Sequence, residues 1–341
     1  MRTSIFSVLT GFALVLQLSS CKKNSLDIVK EYSDKGEFNG SVVIVENGKT
    51  VCDMAFGLSN REKNIQLDKT TPIYIASLSK TFTAVSVMLL QQKGLLNYDD
   101  KASKYIHLPE YAQNVSIRQL LNHTSGIKDY ETIISDKKGL TNQDVLNWLN
   151  SLDKLQFASG SSFEYSNSGY IILSSIIEKV SGQPYGTFLS ENIFVPLGMK
   201  NTWVYDSSTV HKNRATGYNQ KKQPDDYSIL TTGDGGIYST PEDLYLFDQA
   251  LRNFKLINKN NTSLMYSPPQ LSNGKVSGYG FGWFIEEDEG RKTVSHTGGL
   301  NGFRAVFWRD LQRNCSIIAL TNQGDAFPLD NFLHDIKKTI Q

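Results

Sequence analysis

The spacing of hydrophobic residues predicts β-strands near both ends of the chain. Residues 41–45 are β-branched, Asn47-Gly48 suits a type I′ turn, and residues 50–56 follow as a partner strand. Short segments rich in aromatic or β-branched residues return late in the chain, at 280–286, 292–296, 304–308 and 316–321. These strands indicate one antiparallel sheet built from both ends of the chain.

Between the strands, the hydrophobic pattern is mostly helical. In residues 77–92, Phe82, Val85 and Met88 recur at helical spacing, and the pattern stops at Gly94. Further helices are predicted at 117–121, 143–149, 168–180, 241–251 and about 329–340. We therefore expect an α/β (α+β) fold in which a mostly helical domain, about 101–269, is inserted between α/β parts at about 36–100 and 270–341.

The first residues carry a pattern of a different kind. Arg2 precedes an apolar run over 5–18, and the small pair Ser19-Ser20 stands before Cys21, which indicates an export signal. Leu18-Ser19-Ser20-Cys21 resembles the lipobox of bacterial lipoproteins, whose cysteine is lipidated; an ordinary signal peptide is the alternative. We expect a lipoprotein signal peptide over 1–20, a lipid anchor at Cys21 that attaches the protein to a membrane of the cell envelope, and a polar tether over 21–35.

Charge and composition narrow the possible partners. Without residues 1–20, the chain has 34 Lys and Arg against 34 Asp and Glu, so no electrostatic attraction to nucleic acid is expected. The expected partner is a small molecule, a peptide or ester substrate, or a cell-envelope polymer. We expect the protein to be a monomer that uses no metal and no cofactor. Cys52 and Cys315 are too few for a disulfide framework or zinc site; two buried thiols are favoured, and a bridge stays open.

Three short motifs carry the candidate chemistry. Ser77 and Lys80 lie three residues apart at the start of a predicted helix, so that the amine can assist the hydroxyl. Ser-x-x-Lys also begins at six other serines, and is weak evidence alone. However, Tyr165-Ser166-Asn167 is the only Tyr-x-Asn, and His296-Thr297-Gly298 the only match to Lys/His-Thr/Ser-Gly. A phenol can act as the base if nearby cations stabilise its anion, and glycine permits close approach of backbone to substrate.

In this order, the motifs resemble those of the penicillin-recognising serine hydrolases, and most closely the class C β-lactamase branch with its DD-peptidase and esterase relatives. Stretches at 120–126, 235–244, 279–283 and 296–299 are also similar to the family, so the resemblance covers roughly residues 36–341. It implies a β-lactamase/transpeptidase-like fold, in which a five-stranded antiparallel sheet is flanked by helices and the active site lies where the helical domain joins it.

The resemblance also implies a role for each motif residue. Ser77 would attack a carbonyl and form an acyl-enzyme, Lys80 and Tyr165 would share the proton transfers, and the backbone N–H groups of Ser77 and Gly299 would form the oxyanion hole. The remaining family positions would bind the substrate: Asn167, His296, Thr297, Gly298 and Gly299.

One motif residue departs from the class C pattern. His296 replaces a lysine and is cationic only below about pH 6.5, which favours peptidase or esterase relatives over antibiotic hydrolysis. Arg304 could supply the missing cation to a substrate, or be a surface arginine; His123 is interpreted as structural. The predicted function is an exported serine hydrolase of DD-peptidase or esterase type. The alternatives are a true β-lactamase and a non-catalytic binding module.

Overall fold

A computed structural model describes residues 23–131, 138–208, 213–226 and 229–340. Six antiparallel strands form the main sheet, in the order β2-β1-β11-β10-β9-β8. The strands of the described residues are β1 (Gly40–Glu46), β2 (Lys49–Phe56), β3 (Leu58–Asn60), β4 (Ile65–Gln66), β5 (Ile73–Tyr74), β6 (Trp203–Val204), β7 (Ile237–Ser239), β8 (Phe284–Asp288), β9 (Arg291–Leu300), β10 (Phe303–Asp310) and β11 (Cys315–Thr321).

Both ends of the chain contribute to the main sheet, as predicted. The hairpin of β1 and β2 joins the late strands because β1 pairs with β11, with Gly40 opposite Thr321. The fold class is therefore confirmed, but the sheet has six strands and not the five implied by the resemblance. The sixth is β8, which pairs with β9 through a tight turn at Glu289-Gly290, where both residues have positive φ.

Helices cover both faces of this sheet. In the described residues they are α1 (Ser25–Asp34), α2 (Lys80–Gln92), α3 (Ile117–Leu121), α4 (Asn142–Asn150), α5 (Asn167–Ser181), α6 (Tyr185–Leu189), α7 (Val195–Leu197), α8 (Pro241–Arg252), α9 (Lys259–Met265) and α10 (Leu329–Lys337). Alternate residues of β11 separate two cores. Ile318 and Leu320 pack in the large core with α2 and α5, whereas Ile317 and Ala319 pack in a smaller one with α1 and α10.

The expected polar tether is wrong for residues 25–34, which form helix α1. Asn24 caps the helix by accepting a hydrogen bond from the Asp27 N–H at 2.9 Å. Val29 and Tyr32, three residues apart, are buried against α10, and the Tyr32 hydroxyl donates to Asp335 at 3.0 Å. Together with the partly buried Leu26 and Ile28, these residues dock one face of the helix, although the segment contains many polar residues.

The three cysteines of the chain differ in whether the structure describes them. Cys21 and the signal peptide lie outside the described residues and stay predictions. Within the described residues, no helix is both long and apolar enough to cross a membrane. Cys52 on β2 and Cys315 on β11 are buried free thiols on opposite sides of β1, so the interpretation as two thiols is confirmed. Burial raises the pKa of Cys52 to about 11.

Candidate active site

Ser77 lies on a single 3₁₀ turn, Ala76–Ser79, between β5 and α2. The structure thus inserts a tighter turn at the start of the predicted helix, and α2 itself begins at Lys80. Ala76, directly before the serine, has a φ of 46°, a left-handed conformation that residues other than glycine rarely adopt. Leu78 and Ser79, which follow Ser77 on the turn, are buried, whereas Ser77 is partly exposed. The turn therefore presents the Ser77 hydroxyl to solvent.

Lys80 brings the first two motifs together. Its side chain is fully buried, and Nζ donates to Ser77 Oγ at 3.2 Å, to Asn167 Oδ1 at 2.7 Å and to the Asp234 carbonyl oxygen at 2.9 Å. These three bonds use the three donor hydrogens of an ammonium group. Lys80 is therefore held in one position by α5 and by the loop before β7.

Tyr165 covers the same ammonium group. Lys80 Nζ lies 4.8 Å from the centroid of the Tyr165 ring. Burial raises the pKa of this phenol, whereas the nearby Lys80, chiefly through its charge, and Ser77 lower it; burial is the larger effect. The resting residue is therefore a neutral phenol, and the cation reduces the free energy needed to form phenolate.

The third motif reaches this turn along β9. A Cβ atom on Gly298 would lie 2.0 Å from the Ile75 carbonyl oxygen, so the contact between these two backbone segments requires glycine, whereas the expected approach of substrate to this backbone stays a prediction. Because β8 pairs with β9 only as far as Ser295, residues 296–300 have no neighbouring strand on that side among the described residues. The free edge of β9 at Gly299 thus adjoins the turn that carries Ser77.

His296 is a neutral side chain in this structure. The imidazole is 1% exposed, and its Nδ1 lies 2.6 Å from the Thr297 carbonyl oxygen. A carbonyl oxygen can accept a hydrogen bond but cannot donate one. Nδ1 therefore carries the hydrogen, and Nε2 accepts from the Tyr279 hydroxyl at 2.9 Å. Burial, helped by the charge of Lys80, lowers the pKa of His296 to about 3. His296 thus provides no positive charge, and its substrate contact stays a prediction.

The guanidinium group of Arg304 is not directed at Ser77. Arg304 pairs with Gly299 across the sheet, and its side chain lies on the face opposite Phe303 and Ala305, which pack in the large core. It forms an ion pair with Asp325 and donates to the Phe303 carbonyl oxygen at 2.6 Å. This arrangement is that of a surface arginine, and the suggested contact with substrate stays a prediction.

Carboxyl groups near Asn167 were missed by the sequence reasoning. Asn167 Nδ2 donates to Asp129 Oδ2 at 3.0 Å and to Glu131 Oε2 at 2.6 Å. Asp234 is buried nearby and accepts from the Tyr130 hydroxyl at 2.7 Å. Burial raises the pKa of all three carboxyl groups. The sequence signal was weak: an Asp two residues before a Glu indicates a local turn, in which Asp129 Oδ1 accepts from the Glu131 N–H at 3.2 Å, and nothing local relates either residue to Asn167.

His123 has the structural role that was predicted. It is buried at a φ of 58° in the turn after α3, and its Nδ1 accepts from the Ser166 N–H at 3.1 Å. Its ring lies 4.3 Å from that of Tyr165 and 4.5 Å from that of Tyr279, between centroids. Burial lowers the pKa of His123 well below its usual value. His123 therefore supports Tyr165 by packing.

The fold and the grouping of Ser77, Lys80 and Tyr165 define a serine hydrolase of the β-lactamase fold. The sequence model of the Beta-lactamase family matches residues 27–335. The chain is 34% identical to Penicillin-binding protein 4* of Bacillus subtilis (strain 168), with 89% of this chain and 72% of that protein covered. This chain belongs to the Beta-lactamase family, and the resemblance to penicillin-recognising serine hydrolases is confirmed.

Solved structures give the same relationship. A penicillin-binding protein from Bacillus halodurans is 25% identical with a TM-score of 0.80, over 92% of this chain and 98% of that one. The D-amino acid amidase of Ochrobactrum anthropi SV3 is 25% identical with a TM-score of 0.78, over 93% of this chain and 99% of that one. These similarities extend over nearly the whole described chain.

Proposed function

We propose that this protein is an exported serine hydrolase that forms an acyl-enzyme on Ser77 and hydrolyses a peptide, amide or ester bond, as DD-peptidases, amidases and esterases do. The observation that carries the proposal is the 3.2 Å contact between Ser77 Oγ and Lys80 Nζ, with Tyr165 over the same ammonium group. The lipobox-like Leu18–Cys21 segment supports action at the cell envelope, with the protein anchored through a lipid on Cys21.

The proposed chemistry follows from the hydrogen bonds around Ser77. Because the charge of Lys80 stabilises phenolate, Tyr165 would first lose its phenol proton to solvent; the phenolate then takes the hydrogen of Ser77 as Oγ attacks the carbonyl carbon. The negative charge that develops on the carbonyl oxygen would be stabilised by backbone N–H groups of Ser77 and Gly299. The leaving group takes the proton from Tyr165, and a water molecule then cleaves the acyl-enzyme by the reverse proton path.

The carboxyl groups around Asn167 favour an acyl donor with a protonated amine. Asp129 and Glu131 both contact the Asn167 amide, whose oxygen binds Lys80, so a substrate held by Asn167 lies close to both. His296 is neutral and Arg304 is paired with Asp325, so neither offers a free cation to a substrate carboxylate. The amidase of Ochrobactrum anthropi is named for D-amino acid amides, and this substrate class fits the local charge.

The nucleophile is tested with the Ser77→Ala variant and a matched Ser79→Ala control. Ser79 lies two residues further on the same turn, and its hydroxyl is buried without a hydrogen-bond partner. We expect Ser77→Ala to abolish both hydrolysis of an activated ester and labelling by a fluorophosphonate, and Ser79→Ala to retain both. Parent-rate hydrolysis by Ser77→Ala would refute the proposal, and a parent protein that resists the label would favour a non-catalytic binding module.

The substrate preference is tested by comparing a D-amino acid amide with its N-acetyl derivative. Neutralising the carboxyl groups in Asp129→Asn and Glu131→Gln should raise KM for the free amine about tenfold, roughly the loss of one partly buried ion pair. Hydrolysis of the N-acetyl compound should change little. Equal effects of these substitutions on both compounds would reject amine recognition while leaving Ser77 as the nucleophile.

Hydrolysis of β-lactam antibiotics is the second candidate function, and membership of the Beta-lactamase family is the observation in its favour. The neutral His296 argues against it, since no fixed charge is available there for the antibiotic carboxylate. A chromogenic cephalosporin separates the two. Repeated turnover would establish a β-lactamase, whereas one equivalent of colour per protein would indicate a penicillin-binding hydrolase that deacylates slowly.

A further inference from the structure

Two arginines share a single carboxylate at the end of β10 far from Arg304. Arg309 Nε donates to Asp248 Oδ1 at 2.6 Å, and Arg252 Nε donates to Asp248 Oδ2 at 3.0 Å. The side chains are 1%, 10% and 0% exposed for Arg309, Arg252 and Asp248. The next carboxylate, Asp310, is occupied by Arg291 at 3.0 Å. Arg291 also pairs with Glu289 at 2.9 Å, so the wider network is balanced in charge, but among the described residues Arg309 and Arg252 form side-chain ion pairs with Asp248 alone.

The two arginines differ in how many of their guanidinium nitrogens donate hydrogen bonds to the protein. Each guanidinium nitrogen of Arg252 donates a hydrogen bond, because besides Asp248 it donates to the carbonyl oxygens of Asp310 and Cys315 and to the Ser316 hydroxyl. Arg309 differs. Its Nη1 donates to the Tyr266 hydroxyl, but its Nη2 has no hydrogen-bond acceptor among the described residues.

Aromatic rings surround the Arg309 guanidinium group. Its Cζ lies 5.6 Å from the Tyr266 ring centroid and 5.3 Å from that of Trp283. These rings attract the cation through their faces, but they do not accept hydrogen bonds from N–H groups in the guanidinium plane as an anion would. The Nη2 donors are thus unsatisfied by the rings.

Arg309 and Arg252 line a cavity of about 410 Å³ between α8, α9 and β10. Lys259 and the Ser263 hydroxyl group add further donors to its wall, and among the described residues no carboxylate lines it. Phe254 and Leu311 supply apolar surface, and Phe254 is 45% exposed. The volume lies in the range of small-molecule sites, and the lining combines cationic donors with an apolar side.

We propose that this cavity binds a small organic oxyanion, a carboxylate or a phosphate, on Arg309 with Lys259 at the entrance. The anion would accept from Arg309 Nη2 and place its apolar part against Phe254. The site is separate from Ser77 and does not depend on the proposed hydrolase function. It lies at the end of α8, whose Phe247 stacks on Phe82 of α2 at 4.3 Å, so the bound anion stabilises the packing of α8.

Thermal unfolding of the purified protein at constant ionic strength tests the site, with inorganic phosphate, acetate or chloride as the added anion. We expect Tm to rise with the logarithm of phosphate or acetate concentration, as it does for a ligand that binds the native state, and to change little with chloride. A rise with both oxyanions indicates a general carboxylate or phosphate site. A rise with phosphate alone restricts it to phosphates. Equal responses to all three anions would overturn the proposal.

Two lysines provide a matched pair of variants that should leave the fold intact. Lys259 lines the cavity, whereas Lys255 is also exposed but does not line it. Lys259→Ala should require about tenfold more anion for the same rise in Tm, the effect of one lost charge contact of about 1.4 kcal/mol. Lys255→Ala should behave as the parent. Equal behaviour of the two variants would refute the site, and a persistent response in Ser77→Ala excludes anion binding at the nucleophile as its cause.

Discussion

Replacing Gly298 with alanine tests whether β9 must touch the turn that carries Ser77. The added Cβ would lie 2.0 Å from the Ile75 carbonyl oxygen, whereas real contacts of this kind are not found below 3.0 Å, so the two segments must separate by at least about 1 Å. The turn offers little room to adapt, because Ala76 already has a φ of 46°. The shift therefore falls on the distance between Ser77 and the edge of β9.

This increase in the distance between Ser77 and the edge of β9 should lower catalytic activity far more than it lowers the stability of the fold. A misplacement of about 1 Å can cost on the order of 100-fold in rate, and the loss of one oxyanion donor costs a similar or larger factor. We therefore expect kcat/KM for an activated ester to fall about 100-fold or more in Gly298→Ala. The free energy of unfolding should fall by about 1–3 kcal/mol, as is usual when a methyl group is forced into a packed region.

The assay combines steady-state ester hydrolysis with urea unfolding of the same samples. Gly278→Ala is the matched control, since its added Cβ would come no closer than 3.8 Å to the Ile285 carbonyl oxygen and its φ is not left-handed. Parent-like kcat/KM in Gly298→Ala, with stability unchanged, would show that close contact between β9 and the turn does not position the site. A loss of stability alone would mean that the contact serves only packing.

Three further predictions concern single side chains. Tyr165→Phe should lower kcat/KM about 100-fold or more by removing the proton acceptor, with an unchanged Tm; parent-like ester turnover would exclude that role. His296 has a folded pKa of about 3 against an ordinary 6.5, so its stabilising effect is present above pH 6.5 and is lost as the pH falls towards 3. Urea unfolding should show this loss at up to about 1.4 kcal/mol per pH unit for His296. His296→Gln should remove this part and leave the part that belongs to the buried His123, whereas the exposed His107→Gln should retain both. Val29→Ala should lower the free energy of unfolding, measured in urea, by about 2 kcal/mol. Val51 is 42% exposed, so Val51→Ala should change this free energy little; equal decreases in the two variants would argue against packing of α1.

Local sequence patterns predicted the parts of the fold that depend on local chemistry. The turn at Asn47-Gly48, where both residues have positive φ, and the helix that begins at Pro241 depend on backbone conformations that only certain residues adopt readily. The family resemblance placed Ser77, Lys80 and Asn167 in one site, and the structure joins them by hydrogen bonds.

Other features depend on contacts between distant segments and could not be predicted. Helix α1 is stabilised by packing of Val29 and Tyr32 against α10, about 300 residues further along the chain, where the Tyr32 hydroxyl donates a hydrogen bond to Asp335. The alternation of strands decides that Arg304 lies on the face away from Ser77, and one residue of register would reverse this. The carboxyl groups of Asp129 and Glu131 matter only because the fold brings Asn167 to them.

The arrangement around Lys80 assigns the proton transfers more narrowly than the motifs do. An ammonium group that donates to Ser77, Asn167 and the Asp234 carbonyl has no lone pair with which to accept the serine proton. The Lys80 cation, 4.8 Å from the centroid of the Tyr165 ring, lowers the free energy of the Tyr165 phenolate. We infer that Tyr165 accepts the proton and that Lys80 makes this possible through its charge. The neutral His296 adds no second cation, so the basicity of Tyr165 depends on Lys80 alone among these motif residues.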